Sequence, residues 1–222
     1  VAKDSVPAFV YAIYSLDESG AKVTGIKGET VYLEWAGFKL RAESIYQFIG
    51  LSITLNSALK IYSKAISIIK GLKNKTVADI GAFLGETALF FIKKGARQVF
   101  AFEVNPDNFS VMVDIIRTNN LENKIFPFNY AIADKDGNLR IRYDERSWGT
   151  VLFGLISGPK EIKVRSISLY SLIREYHPDV IKMNCEGCER VLLNLRPEVL
   201  REVPYWIVQT HGEALSLMIP KV

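Results

Sequence analysis

The apolar residues of this 222-residue chain fall into two regimes, separated by a polar break at Gly71–Lys75. In the first, Ala8–Tyr14 is a short apolar and aromatic run that reads as a strand. Thr30–Trp35 and Phe38–Ala42 alternate apolar and polar positions on either side of Ala36-Gly37, the pattern of a β-hairpin. From Ser44 to about Lys70, apolar residues recur at helical spacing (Ile45, Phe48, Ile49, Leu55, Leu59, Ile66, Ile69), and Gly50 is expected to divide this run into two helices. In the second regime, short apolar runs alternate with helical patterns. Strands are expected at Thr76–Ile80, Gln98–Glu103, Ile125–Asn129, Val180–Asn184 and Tyr205–Thr210, with helices at Glu86–Lys94, Asp107–Asn119 and Ser168–Tyr176. A turn at Asp136-Gly137 leads into a further short strand, Lys163–Ser166 is extended, and two helical turns flank Pro197. Strands alternating with helices imply a mostly parallel sheet with right-handed crossovers and helices on both faces. The fold class is therefore α/β and Rossmann-like. Residues 1–70 are read as a β-hairpin and helical extension, and residues 71–222 as a ligand-binding domain.

In such sheets ligands bind beyond the carboxyl ends of the strands, so those ends are where chemistry is sought. The first carries VADIGAFLGET, Val77–Thr87: an apolar strand holding one acid, Asp79, then Gly81 and Gly85, then a helix. Glycines there permit positive φ and close approach of a ligand to the backbone. The dinucleotide fingerprint would need glycine where Phe83 stands, and the P-loop would need Gly-Lys-Ser/Thr. A turn of this spacing suits a ligand with an adenosine and a cationic amino-acid end but no pyrophosphate, as in S-adenosylmethionine. Asp79 has two compatible roles, bonding turn amides and holding the ligand's ammonium group directly or through water.

Glu103, 22 residues beyond Gly81, ends the second strand, where a carboxylate can accept both ribose hydroxyl hydrogens. Asp107 is a candidate N-cap for the following helix. Asn129, Tyr130 and Ala131 end the third strand and are placed to border an adenine ring. The fourth ends in IKMNCEGCE, Ile181–Glu189, which gathers Lys182, Asn184, Glu186 and Glu189 around Gly187. Glu186 and Glu189 suit a base or metal ligand, or the start of a helix. His211 follows the fifth strand on the same rim and is a second candidate base, while His177, before Pro178, reads as surface. The C-x-x-C pair Cys185 and Cys188 admits a redox dithiol, half a zinc site, or two small buried side chains, and the last is favoured.

Composition narrows the field. The charge of 28 − 24 = +4 and pI of 8.9 are mildly basic, far from the dense basic face of a dedicated nucleic-acid binder. No segment reaches the roughly 18 uncharged apolar residues of a membrane span. Without a basic-then-apolar leader, the expected location is the cytoplasm. Eleven residues follow His211, too few for the two further strands of a seven-stranded sheet, so either the sheet is short or a segment is absent from this chain.

Together VADIGAFLGET, FEVNPDN, NYAIADKDG and IKMNCEGCE, from about Val77 to Leu193, resemble the FkbM family of S-adenosylmethionine-dependent methyltransferases. The resemblance implies a class I methyltransferase fold and O-methylation of a small-molecule or glycosidic hydroxyl. It places Gly81 and Gly85 at the cofactor turn and Glu103 on the ribose. The residues expected around the cofactor are Asp79, Gly81, Ala82, Gly85, Glu86, Thr87, Glu103, Val104, Asn129, Ala131 and Asn184. Where the family usually has Asp, this chain has Asn184, which can orient a hydroxyl or bond the cofactor's amino group but cannot remove a proton. The expected catalytic set is Glu186 as base, then His211, with Asn184 as orienting group and no metal. Two rivals stand beside this reading, a nucleic-acid methyltransferase of the same fold and a catalytically degenerate cofactor-binding protein. The sequence does not set the oligomeric state, and the N-terminal extension is a candidate lid, substrate-selecting surface or dimer contact.

Overall fold

The computed structural model describes residues 5–143 and 160–209. It opens with helix α1 (Ser5–Ser19) and an antiparallel three-stranded sheet of β1 (Lys22–Lys27), β2 (Thr30–Trp35) and β3 (Phe38–Ala42). The expected strand at Ala8–Tyr14 is therefore corrected to helix. Ala12, Ser15, Leu16 and Ser19 are its buried positions, and this three-and-four spacing outweighs the β-propensity of the aromatic residues between them. The hairpin forms where expected, with Trp35 opposite Phe38 and positive φ at both Ala36 and Gly37, as a two-residue primed turn requires.

Helix α2 (Ile45–Ser57) starts at Ser44, whose hydroxyl accepts from the Gln47 amide while the Gln47 side chain accepts from the Glu43 amide. Gly50 does not interrupt it. An interior glycine costs only about 1 kcal/mol relative to alanine, and α2 buries Phe48, Leu51 and Leu55 in the core on either side of it. The change comes later, in a π-helical segment, Ala58–Tyr62, that leads into α3 (Ser63–Ile68).

The remaining chain contains β4 (Thr76–Ile80), α4 (Glu86–Lys93), β5 (Gln98–Phe102), α5 (Pro106–Thr118), β6 (Ile125–Phe128), β7 (Tyr130–Ala133), β8 (Gly137–Tyr143) and β9 (Lys160–Ser168). Then follow α6 (Leu169–Tyr176), β10 (Val180–Met183), a 3₁₀ segment at Cys188–Asn194, α7 (Pro197–Leu200) and β11 (Tyr205–Val208). Five strands form an all-parallel sheet in the order β6-β5-β4-β10-β11. That is the doubly wound Rossmann order, with its switch point between β4 and β10. β7, β9 and β8 make a separate small mixed sheet. Asn105, not Asp107, caps α5: its side chain accepts from the amides of Asp107 and Asn108, and Pro106 takes the first helical position. Proline suits that position because its missing N–H would be unpaired there anyway.

Successive side chains of a strand point to opposite faces, and here both faces are apolar. Val77, Val99, Ile125 and Val180 pack with α2, α4 and α5, and this core also takes in Leu33, Trp35 and Leu40 of the first sheet. Ala78, Ile80, Phe102, Ile181 and Met183 pack with α6, the 3₁₀ segment and α7. Asp79 and Lys182 share the parity of Val77 and Val180, so both point under α4. No described helix is long and apolar enough to cross a membrane.

Candidate active site

The β4–β10 register pairs Asp79 with Lys182, and both side chains are essentially inaccessible, at 0% and 1% exposure. The Lys182 ammonium lies 2.8 Å from Asp79 Oδ1 and donates to the carbonyls of Gly81 at 2.8 Å and Ile80 at 3.3 Å. The other Asp79 oxygen accepts from the Thr87 hydroxyl. Burial pulls the lysine down, but Asp79, with Tyr62 and Glu86 adding, more than offsets this and holds it above the ordinary lysine value. Asp79 thus reaches the turn through Lys182 and Thr87.

The turn itself is held from three sides. The Gly81 and Ala82 amides donate to the Phe102 carbonyl at 2.9 and 3.0 Å. Phe83 takes φ 51°, the left-handed conformation usually left to glycine, and donates its amide to Glu103 Oε2 at 2.9 Å. Gly81 has φ 73°, and a Cβ built on it would lie 2.0 Å from the Asn184 carbonyl oxygen. Glycine is needed here for the close passage of the β10 exit as well as for the turn, not only for ligand approach as the sequence suggested. Gly81→Ala is accordingly expected to lower stability by about 2 kcal/mol or more, from positive φ plus overpacking. The check is the urea midpoint, and a variant within 0.5 kcal/mol of wild type, about the spread of ordinary surface substitutions, would refute this account.

A cavity partly open to solvent lies at the switch point. It brings together Gly81, Glu86, Thr87, Glu103, Val104, Asn184 and Glu186 from the expected set. Asp79, Ala82, Gly85, Asn129 and Ala131 do not line it. Asn129 ties the chain there by donating to the Glu103 and Val104 carbonyls at 2.8 and 3.1 Å. Glu103 is buried and accepts the Phe83 amide on one oxygen and the Asn105 amide on the other, at 2.8 Å. Burial pushes its carboxyl up to about 7. Burial does the same to Glu86, whose Oε2 has no partner.

Beyond β10, Glu186 takes φ 53° and Gly187 φ 111°. A non-glycine residue held there costs about 1–3 kcal/mol and marks a constrained loop. The constraint is Glu189: fully buried, it accepts the Cys185 and Gly187 amides at 2.9 and 2.8 Å. Of the two acids in E-G-x-E, one therefore clamps the loop and the other, Glu186, is half-buried at the cavity wall. Cys185 and Cys188 are joined in a disulfide, Cα–Cα 5.5 Å, which corrects the favoured reading of two small unpaired side chains. Only Glu186 and Gly187 lie between them, and their positive φ values turn the chain back so that the sulfurs meet. His177 is exposed, and His211 lies outside the described residues.

Five cavity residues come from the first 70: Gly50, Ile53, Thr54, Ser57 and Tyr62. None was legible as functional, because each occupies an ordinary position in an amphipathic helix. Lys182 was visible as a charge inside an apolar strand, a signal that a buried partner had to exist.

Residues 79–216 match the model of the methyltransferase FkbM domain. The chain belongs to this family. It is 25% identical over 137 residues to hexuronic acid methyltransferase AglP of Haloferax volcanii, a match covering 60% of this chain and 55% of that protein. The chain thus spans about half the length of this curated relative. Among solved structures it resembles Methanocaldococcus jannaschii Trm5 in complex with adenosine (20% identity, 49% of this chain and 35% of that one, TM-score 0.35). Another is Arabidopsis thaliana protein arginine methyltransferase 10 (25% identity, 32% and 20% covered, TM-score 0.28). These structural likenesses are too slight to bear on function.

Proposed function

We propose that this protein is an S-adenosylmethionine-dependent O-methyltransferase acting on a small-molecule or glycosidic hydroxyl, with residues 71–222 holding the cofactor and residues 1–70 an extension that helps to enclose the site. The observation that carries the cofactor reading is Glu103, a buried carboxylate at the end of β5 that lines the switch-point cavity. Backbone amides fix its two oxygens, and each retains a lone pair for a ribose hydroxyl.

The rest of the cavity fits the same group. Phe102, Val104, Tyr130 and Ile132 offer an apolar surface for a purine. Glu86 Oε2, buried and unpartnered, is an acceptor suited to an ammonium group. When bound, the cofactor supplies a methyl group activated by a sulfonium charge. The chain's own residues do the rest: Glu103 orients the nucleoside, and Asn184 orients the acceptor. Glu186 receives the acceptor hydroxyl's proton on a carboxylate oxygen. Asp79 acts through Lys182, whose bonds to the Ile80 and Gly81 carbonyls set the shape of the turn. The likeness to a hexuronic acid methyltransferase supports a sugar-type acceptor.

Isothermal titration tests the cofactor. S-adenosylmethionine and S-adenosylhomocysteine are both expected to bind, and Glu103→Gln is expected to weaken each about 10-fold or more, the scale of one hydrogen bond to a charged group. Absence of heat with the wild-type chain would sink the proposal. Transfer of labelled methyl to hydroxyl compounds, set against bulk tRNA, tests the acceptor class, and tRNA as the sole product would select the nucleic-acid alternative.

A further inference from the structure

Residues 50, 53, 54 and 57 of α2 follow the spacing of one helical face, and that face lines the cavity. A regular α-helix would next present residue 60 or 61, yet Lys60 and Ile61 are exposed. The π-helical segment Ala58–Tyr62 accommodates one residue more per turn than an α-helix, so the stripe shifts by one and Tyr62 joins it. Tyr62 is 2% exposed and lines the cavity. Asn184 lines the same cavity, and its Oδ1 is buried without a partner. The Tyr62 hydroxyl can donate a hydrogen, and Asn184 Oδ1 is an open acceptor. A substrate hydroxyl needs one of each.

The charges on this wall are as selective as its hydrogen bonds. Gly50, Thr54 and Ser57 are small or neutral. Lys182 is the single cation lining the cavity among the described residues, and its ammonium is already committed to Asp79 and two carbonyls. Glu86, Glu103 and Glu186 line the same cavity. Among the described residues that line the cavity, an anionic acceptor would lose its hydration and find no uncommitted cation to pair with.

We propose that the α2 stripe with Tyr62 and Asn184 is the acceptor subsite, and that it takes a neutral, hydroxyl-rich molecule such as an uncharged glycoside while rejecting uronates and phosphates. Tyr62 is then a positioning residue, placed by the π segment, that holds the hydroxyl to be methylated. This rests on the cofactor reading above and narrows its substrate class.

The experiment uses the full chain and two measurements. Titration with S-adenosylhomocysteine reports the cofactor site alone. Transfer of labelled methyl from S-adenosylmethionine is then followed with methyl glucoside and methyl glucuronide as paired probes. The glucoside is expected to be methylated with kcat/KM at least about 10-fold above the glucuronide. Tyr62→Phe is expected to raise the glucoside KM about 10-fold, the scale of one lost hydrogen bond, with the affinity for S-adenosylhomocysteine held within about 2-fold. Equal or better use of the glucuronide overturns the inference, as does an unchanged KM in Tyr62→Phe. Failure to methylate either probe while S-adenosylhomocysteine still binds also overturns it. Absence of S-adenosylhomocysteine binding brings down the cofactor reading and this inference with it.

Discussion

Replacing Lys182 by methionine is expected to cost about 3–5 kcal/mol of folding stability, the usual penalty for leaving one charge of a buried pair without its partner. The lysine is 1% exposed and Asp79 is 0% exposed, so no solvent relieves the orphaned carboxylate. Two backbone carbonyls, of Ile80 and Gly81, lose a donor in the same step. Removing both charges together with Lys182→Met and Asp79→Leu is expected to restore much of the loss, because a well-packed apolar pair avoids the desolvation that the ion pair bears. Recovery will be incomplete, since the Thr87 hydroxyl also bonds Asp79. Urea unfolding of the two single variants and the double variant measures this directly. A single-variant loss below about 1 kcal/mol, the range of exposed pairs, would contradict the burial argument. So would a double variant less stable than either single one.

Stability of the ligand-free protein is expected to fall as pH rises from about 4.5 to about 7. Burial holds the Glu86 and Glu103 carboxyls up to about 7, against an ordinary value of 4.5. Between those limits the unfolded chain releases protons that the folded chain retains, so unfolding is progressively favoured as pH increases. The contribution is full below about 4.5 and gone above about 7. A gap of about 2.5 pH units at 1.36 kcal/mol each bounds the effect near 3 kcal/mol per carboxyl. Glu86→Gln keeps the shape and removes the charge. It is expected to match wild type near pH 5, to exceed it at pH 8, and to flatten the dependence by up to about half. Thermal midpoints across this range provide the check, and a wild-type profile that rises toward pH 8 would show that the two acids are better solvated than their burial implies.

Most of the sheet was legible because its signals are local. Apolar runs of strand length, a glycine turn and the residues that start helices are all short-range, and β4, α4, β5, α5 and β10 fall within a residue or two of their expected bounds. The errors arose where local and tertiary preferences disagree. The aromatic run in α1 has β-propensity, but its buried positions sit at helical spacing. Gly50 is a helix breaker by composition, but α2 packs along its whole length. Asp107 is a good cap by type, yet Pro106 at the first helical position made Asn105 the cap.

Sequence alone determined the class of fold, the family and one wall of the site. The turn from Asp79 to Gly85, the acid at Glu103 and the E-G-x-E loop are contiguous motifs, and their spacing carries their geometry. Only the tertiary structure decided how those motifs are held and what faces them. It committed Asp79 to Lys182 over a hundred residues away, assigned Glu189 to clamping the loop, joined Cys185 to Cys188, and explained Gly81 by the passage of the β10 exit. It also brought α2 and Tyr62 over the cavity. These outcomes depend on which side chains lose water together, a property of contacts between distant segments that no local pattern encodes.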